Sequence, residues 1–284
     1  MLNEPRTYSH SPIRIGLIIF VLGALGIFLL TTMDWTDKFF LIPFVGFFGI
    51  IFITVLYSMM QKATISDDEI STQTFLGTKS LRWSEISRVS GQGYGIKLHN
   101  FDGDVTVAPN QQLPGYEELV DWIGVKRPDL FNPLAYGEMK RGWFTLVSLA
   151  ALVIFFVAVL LGSGILFFNN PQAPVSVWIP FFFIVIIAAI FFGVAFSSPQ
   201  SVTIDGRSLF IKYLFSEKTL PANEIASVGL SFTQTRNGKN YFVLLTQMNG
   251  KAIRIAGLSI GLPIIYLVLK NWHRKNSAMD LTTQ

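Results

Sequence analysis

Few side chains in this sequence have the types and spacing that catalysis or metal binding requires. The three histidines, His10, His99 and His273, are dispersed, and none has a second histidine or a carboxylate at metal-ligand spacing. Cysteine is absent, which excludes disulfides and thiolate metal sites. We therefore predict no metal, no cofactor and no enzymatic activity of a usual class. A weaker hypothesis is a lipid hydrolase that depends on Glu85 or His99.

Two further motifs have the composition of ligand sites but not their spacing. The run Gly91-x-Gly93-x-Gly95 lacks the third glycine's spacing and the following helix of a phosphate loop, so it indicates a flexible connection between strands. The acidic clusters Asp67-Asp68-Glu69 and Asp102-x-Asp104 provide too few oxygens for calcium and indicate solvated turns.

Charge distinguishes the two halves of the chain. Residues 61–141 contain nine Lys and Arg against eleven Asp and Glu, whereas residues 198–284 contain ten against four. A basic segment held beside anionic phospholipid is attracted to the headgroups. The predicted headgroup ligands are Arg207, Arg236, Lys239, Lys251 and Arg254. The alternative is a solvated basic face, and no nucleic-acid partner is predicted.

The elements that position these residues occur twice. The residues from Thr64-Ile65 to Val89 match those from Thr203-Ile204 to Val228 at an offset of 139 without a gap. Beyond that stretch the offset is 147, so the second copy has about eight extra residues near Thr233 to Asn240.

Each copy is preceded by long apolar runs. Hydrophobic residues make up 51% of the chain, and its mean hydropathy is +0.47. Four uncharged runs reach the roughly 20 residues that a membrane crossing needs, which predicts four transmembrane helices in two hairpins. Lys and Arg near the run ends place both termini and both polar segments in the cytoplasm of a multi-pass inner-membrane protein. The runs are Ile15 to Met33, Phe39 to Met60, Trp143 to Phe168 and Val175 to Phe196.

The polar segments read as small antiparallel β domains. Short β-branched runs separated by turn residues follow Ala63, and a helical period begins after Pro114. The predicted fold class is therefore an α+β membrane protein, with two cytoplasmic β domains each closed by a C-terminal helix. The predicted divisions are an N-terminus 1–12, hairpin 13–60, β domain 61–130, linker 131–142, hairpin 143–197, β domain 198–276 and disordered tail 277–284.

The order of elements resembles that of bacterial membrane proteins with pleckstrin-homology-like (PH-like) domains, whose role is poorly defined. Two stretches in the first copy carry the resemblance: Thr64-Ile65-Ser66-Asp67-Asp68 with Ile70, and Leu81-Arg82-Trp83-Ser84-Glu85-Ile86 with Val89. The second copy has Thr203-Ile204-Asp205-Gly206 with Leu209, and Leu220-Pro221-Ala222-Asn223-Glu224-Ile225 with Val228, where Ala222 replaces Trp83. The resemblance implies a fold and a binding function, and it does not imply a catalysed reaction.

Two local features have alternative interpretations. Glu85 and Glu224 follow Ser84 and Asn223, which favours a turn or cap acceptor over a partner-binding carboxylate. The helix at Leu262 to Leu269 has no polar face, which favours burial between the two domains over a position at the lipid interface.

These patterns together predict a non-catalytic scaffold, sensor or assembly factor. We expect it to present its two PH-like domains to a protein partner or to anionic phospholipid at the surface of the lipid bilayer. The alternative is an accessory subunit of a transporter or export complex.

Overall fold

The computed structural model describes residues 4–32, 38–169, 182–183, 185–187, 189–190, 193, 198–236 and 238–281. The chain divides into two compact units. Unit 1 contains Met1–Leu130 together with Gln234–Lys239, and unit 2 contains Phe131–Thr233 and Asn240–Gln284.

Unit 1 has two antiparallel sheets. The first has the strand order β1 (Arg6–Ser9), β2 (Lys62–Ile65), β3 (Glu69–Thr74) and β4 (Gly77–Arg82). A single turn of 3₁₀ helix, Trp83–Glu85, leads into the second sheet, which contains β5 (Ile86–Ser90), β6 (Lys97–Asn100) and β7 (Thr106–Val107). Strand β7 contacts β3 and β4, so the two sheets share one core.

Three helices belong to unit 1: α1 (Pro12–Thr32), α2 (Lys38–Met60) and α3 (Tyr116–Lys126). Helix α3 closes the β core with its apolar face, because Tyr116, Leu119, Val120 and Ile123 are all fully buried. The sequence predicted this face from its helical period, and the prediction is confirmed.

Unit 2 repeats the arrangement. Two 3₁₀ turns, Pro128–Phe131 and Pro133–Tyr136, precede β8 (Glu138–Lys140) and α4 (Trp143–Asn169). The order in the first sheet is β11 (Glu217–Pro221), β10 (Ser208–Lys212), β9 (Ser201–Asp205) and β8. A 3₁₀ turn at Ala222–Glu224 leads to β12 (Ile225–Thr235), β13 (Gly238–Gln247) and β14 (Ala252–Ile255), and α5 (Leu262–Leu281) follows.

The equivalent strands of the two units pair alike. Strand β1 pairs with β2 so that Ser9 faces Lys62, and β8 pairs with β9 so that Lys140 faces Ser201. The separation between Lys62 and Ser201 equals the offset of 139 found in the sequence. Both pairs therefore occupy the same place in their modules.

Strands β1 and β8 were missed by the sequence analysis, which assigned these residues to the N-terminus and the linker. Each has only three or four residues and stands directly before a long apolar helix. Tyr8 and Met139 are their buried residues, with exposed or half-buried neighbours on the same strands. Such short strands depend on their partner strand, so local propensity alone does not reveal them.

The first three apolar runs are helical, but the structure contradicts the prediction that the runs span a membrane. Helices α1, α2 and α4 coincide with the first three runs, and many of their apolar side chains are exposed, among them Phe20, Ile50 and Ile154. Crossing a bilayer needs about 20 predominantly apolar residues in one helix. Within the described part of the chain, no helix combines the length and the apolarity for that.

Several predictions fail on this finding. They are the four transmembrane helices, the two hairpins, the membrane part of the fold class and the multi-pass inner-membrane location with its orientation. What remains of the fold class is an α+β chain with several antiparallel sheets. Most of the fourth run, Val175 to Phe196, lies outside the described residues.

Helix α5 shows how the second copy differs from the first. All eight residues from Leu262 to Leu269 are buried, as their uniform apolarity predicted. The following turn is fixed by hydrogen bonds: the Trp272 indole donates to the Gly206 carbonyl at 2.8 Å, and His273 Nε2 lies 2.7 Å from the Ile225 carbonyl. The predicted burial of this helix is therefore confirmed, whereas its predicted position between the two domains stays a prediction.

Candidate functional site: a cationic pocket in unit 2

The five predicted headgroup ligands occupy different places. Arg236 and Lys239 lie in the short segment of unit 1, where the Lys239 ammonium pairs with Glu117 at 2.9 Å. Arg207, Lys251 and Arg254 are exposed residues of unit 2. Of the five, Arg254 lines a pocket, and Lys251 stands in the turn before the strand that contains it.

The pocket forms where three segments meet at one end of the β8–β11 sheet. Arg141 directly follows β8, Gln200 directly precedes β9, and Tyr213 directly follows β10. Backbone hydrogen bonds hold these segments side by side. The Arg141 N–H donates to the Gln200 carbonyl at 2.8 Å, and the Gln200 N–H donates to the carbonyl of Lys212, the residue before Tyr213, at 2.7 Å. Strand β14 provides the opposite wall. The cavity measures about 460 Å³ and is lined by Ser198, Pro199, Tyr213, Ala252, Ile253, Arg254 and Ala256.

Arg141 and Gln200 lie beside this cavity. Neighbouring residues of the chain link them to it. Pro199 and Ala256 line the cavity, Gln200 directly follows Pro199, and Gly257 directly follows Ala256. One terminal nitrogen of Arg141 is 3.5 Å from the point that a Cβ on Gly257 would occupy. Gly257 has φ +76°, so its backbone conformation suits glycine and leaves room for the guanidinium.

Two hydrogen-bond donors at this place have no acceptor. Arg141 Nε and Gln200 Nε2 are both buried and, within the described residues, neither has a hydrogen-bond partner. A buried donor left without an acceptor costs about 1–3 kcal/mol, and more when the group is charged. Native proteins retain such groups where an ordered water or an ion satisfies them, or where strain or a catalytic role maintains them. Two neighbouring N–H groups without an acceptor therefore suit an acceptor from outside the chain, such as a water or an anion.

The electrostatics favour an anion over a neutral acceptor. Burial lowers the pKa of Arg141, because removal from water disfavours its charged form, but an arginine guanidinium in a protein still stays charged at pH 7. Burial raises the pKa of Tyr213, so its hydroxyl stays protonated and can donate. Among the described residues that line the pocket, none carries a carboxylate.

Arg254 is held at the rim by an aromatic ring. Its guanidinium carbon lies 4.7 Å from the centroid of the Phe242 ring, within the range of a cation–π interaction. This contact orients the side chain while leaving its five N–H groups able to donate. Arg254 thus provides one positive charge to the cavity, and the Arg141 guanidinium lies beside the cavity.

The equivalent position in unit 1 is closed. Gln61 directly precedes β2 as Gln200 directly precedes β9, but the Gln61 amide donates to the Ala108 carbonyl at 2.9 Å. Arg141 corresponds to His10, since both residues directly follow the first strand of their module. The two copies have therefore diverged at this place: the Gln61 amide has an acceptor, whereas Arg141 Nε and Gln200 Nε2 have none among the described residues.

Sequence reasoning identified Arg254 but missed Arg141, Gln200 and Tyr213. These residues are far apart in the chain and meet through strand pairing that involves the unpredicted strand β8. One signal was present: Gln61 and Gln200 are 139 residues apart, so they belong to the aligned repeat. The difference in their hydrogen bonding is visible only in the structure.

A second polar cluster lies on the outer face of the β5–β6–β7 sheet. Ser90 Oγ is 2.7 Å from His99 Nε2, and Thr106 Oγ1 is 3.1 Å from His99 Nδ1. Burial, followed by the charges of Arg88 and Lys97, lowers the pKa of His99. Both ring nitrogens are thus engaged by hydroxyls, which is a cross-strand network on a sheet surface.

The remaining motifs occupy turns. The Gly91–Gly95 run connects β5 to β6, as predicted. Unit 1 also has an open depression of about 510 Å³ lined by Ser66, Asp68, Glu69, Arg82 and Ser84, in which acidic side chains accompany the arginine. Within the described ranges, no three His, Asp or Glu residues are grouped to hold a metal ion.

The Glu85 carboxylate is a turn acceptor, as predicted. It accepts a hydrogen bond from the Arg82 backbone N–H at 3.1 Å and so closes the 3₁₀ turn. The Glu224 carboxylate is exposed and has no such bond among the described residues. Its backbone carbonyl accepts from Met248 instead. The cap interpretation is therefore confirmed for the first copy only.

No protein-family model matches the chain, and no curated protein matches it either. The resemblance to PH-like domains consequently stays a prediction.

Proposed function

We propose that this chain is a non-catalytic binding protein built from two copies of one β module, and that the second copy binds an anionic group. The observation that carries the proposal is the pair of buried donors, Arg141 Nε and Gln200 Nε2, which lack an acceptor beside a pocket with Arg254 at its rim. An anion would satisfy both donors at once.

The net charge of the second unit also favours an anionic ligand. Unit 2 contains ten Lys and Arg against five Asp and Glu, so the long-range field around it attracts anions. The groups at the pocket are donors and cations, which suits the recognition of negative charge. A role as a scaffold or sensor follows if the anion belongs to a partner or a lipid.

The test is isothermal titration calorimetry of the full chain with inorganic phosphate. We expect the wild type to bind phosphate and R141Q to bind it at least about tenfold more weakly, because a hydrogen bond to a charged group is lost. The matched control is K275Q, which removes an exposed cation of the same unit that neither lines the pocket nor belongs to the predicted headgroup ligands. Its affinity for phosphate should equal that of the wild type.

R254Q provides a second variant in case R141Q fails to fold, since Arg254 is exposed and its replacement should leave the core intact. Circular dichroism of each variant separates loss of binding from loss of structure. The proposal is overturned if the wild type does not bind phosphate, or if folded R141Q and R254Q bind it as tightly as the wild type.

A further inference from the structure

The pocket in unit 2 is larger and less polar than a site for a simple anion would be. Its volume of about 460 Å³ is several times that of one phosphate group and falls in the range of small-molecule sites. One part of its lining is polar, with Ser198, Tyr213 and Arg254. The other part is apolar, with Pro199, Ala252, Ile253 and Ala256.

The charges at the pocket suit a ligand with more than one negative charge. Arg254 lines the pocket and Arg141 lies beside it, and none of the described lining residues is a carboxylate. A phosphate monoester carries about −1.5 to −2 at pH 7 and has three strong acceptor oxygens, whereas a diester carries a single charge. Three acceptor oxygens can also match donors from separate segments, and Arg141, Gln200 and Tyr213 flank three neighbouring strands.

We infer that the pocket binds a phosphate monoester whose phosphate group accepts hydrogen bonds from Arg141 and Gln200 and whose organic group packs against Ile253 and Ala256. This inference rests on the proposed function and adds the class of ligand to it. Both soluble phosphate esters and lipids with a terminal phosphate present this chemistry.

The test compares three probes by calorimetry on the full chain: inorganic phosphate, phenyl phosphate and methyl phenyl phosphate. Phenyl phosphate should bind at least about tenfold more tightly than inorganic phosphate, because its ring leaves water for the apolar wall. The diester should bind at least about tenfold more weakly than the monoester, because it has lost a charge and an acceptor.

The variant Q200E tests the geometry directly. It places a carboxylate beside the Arg141 guanidinium, so the chain supplies its own anion. We expect Q200E to lose phenyl phosphate binding while its melting temperature rises. The matched control is Q61E at the equivalent position of unit 1, where the new carboxylate would face the Ala108 carbonyl. Q61E should bind phenyl phosphate as the wild type does, with a lower melting temperature.

The outcomes distinguish a failure of the monoester inference from a failure of the proposed anion binding. Equal affinities for inorganic phosphate and phenyl phosphate would overturn the monoester inference and leave anion binding intact. Undiminished binding of phenyl phosphate by Q200E would overturn the assigned position of the phosphate. No binding of any of the three probes would overturn the proposed function itself.

A competition experiment distinguishes a lipid ligand from a soluble phosphate ester. Vesicles of phosphatidylcholine with phosphatidic acid are added to the complex with phenyl phosphate, and vesicles of phosphatidylcholine alone serve as the control. Displacement by the former supports a lipid ligand, and a lack of displacement supports a soluble ester.

Discussion

Single side chains of this protein differ in whether their polar atoms have partners, and that difference separates binding groups from structural ones. Arg127 is fully engaged, since its guanidinium donates to the Trp83 and Ile86 carbonyls and pairs with Asp129. Arg141 keeps a buried N–H without an acceptor. Both are partly buried arginines next to strands, so residue type alone could not tell them apart.

His99 gives a prediction at this scale. Its lowered pKa, caused by burial and then by Arg88 and Lys97, means that the folded state disfavours protonation. The contribution of His99 to stability should be complete above about pH 6.5 and should be lost as the pH falls through the ordinary pKa of histidine toward the lowered one.

The measurement is an NMR titration of the His99 ring in the wild type and in K97Q. Removing the nearby cation should raise the pKa of His99 by a few tenths of a unit, as expected for a partly screened charge. K79Q, which removes a lysine of the other sheet in unit 1, is the control and should leave it unchanged. Equal effects of the two variants would show that Lys97 does not act on His99.

Whole elements could be predicted from the sequence where a periodic pattern coincides with burial. The apolar face of α3 and the uniformly apolar start of α5 were both located correctly, because the helical period and the absence of a polar face have direct consequences for burial. Strands β1 and β8 were not predicted, and for that reason the candidate site beside the pocket was not predicted either. Arg141 follows β8, so its meeting with Gln200 and Tyr213 is a product of strand pairing.

The 3₁₀ turns at Trp83–Glu85 and Ala222–Glu224 provide a matched pair of elements. Because the Glu85 carboxylate accepts from Arg82 N–H, E85A should lower the free energy of unfolding by about 0.5–2 kcal/mol, as for other lost cap acceptors. E224A removes an exposed carboxylate without such a bond and should change it by less than about 0.5 kcal/mol. Urea denaturation followed by tryptophan fluorescence compares the two, and equal losses would contradict the assigned role of Glu85.

The molecule as a whole contains one module twice, and the copies have diverged in what they offer to a ligand. Their first sheets have the same strand order and register, so a backbone comparison alone would assign both the same function. The difference lies in a few side chains: His10 and a satisfied Gln61 in one copy, Arg141 and an unsatisfied Gln200 in the other. After a duplication the two copies can take different roles. Unit 1, in which the Gln61 amide has an acceptor, therefore serves as an internal control for the proposed site in unit 2.

That control allows a prediction for the full chain, with hydrogen exchange measured by mass spectrometry in the presence and absence of phenyl phosphate. Ligand binding stabilises the state that it binds and therefore slows exchange around the site. We expect slower exchange in residues 138–142, 200–213 and 252–258 of unit 2, and unchanged exchange in the equivalent residues 7–11, 61–74 and 106–112 of unit 1. Slower exchange in both sets would mean that the closed position at Gln61 also binds the ester. Slower exchange in unit 1 alone would mean that the satisfied copy is the functional one, and that unsatisfied donors do not mark the site in this protein.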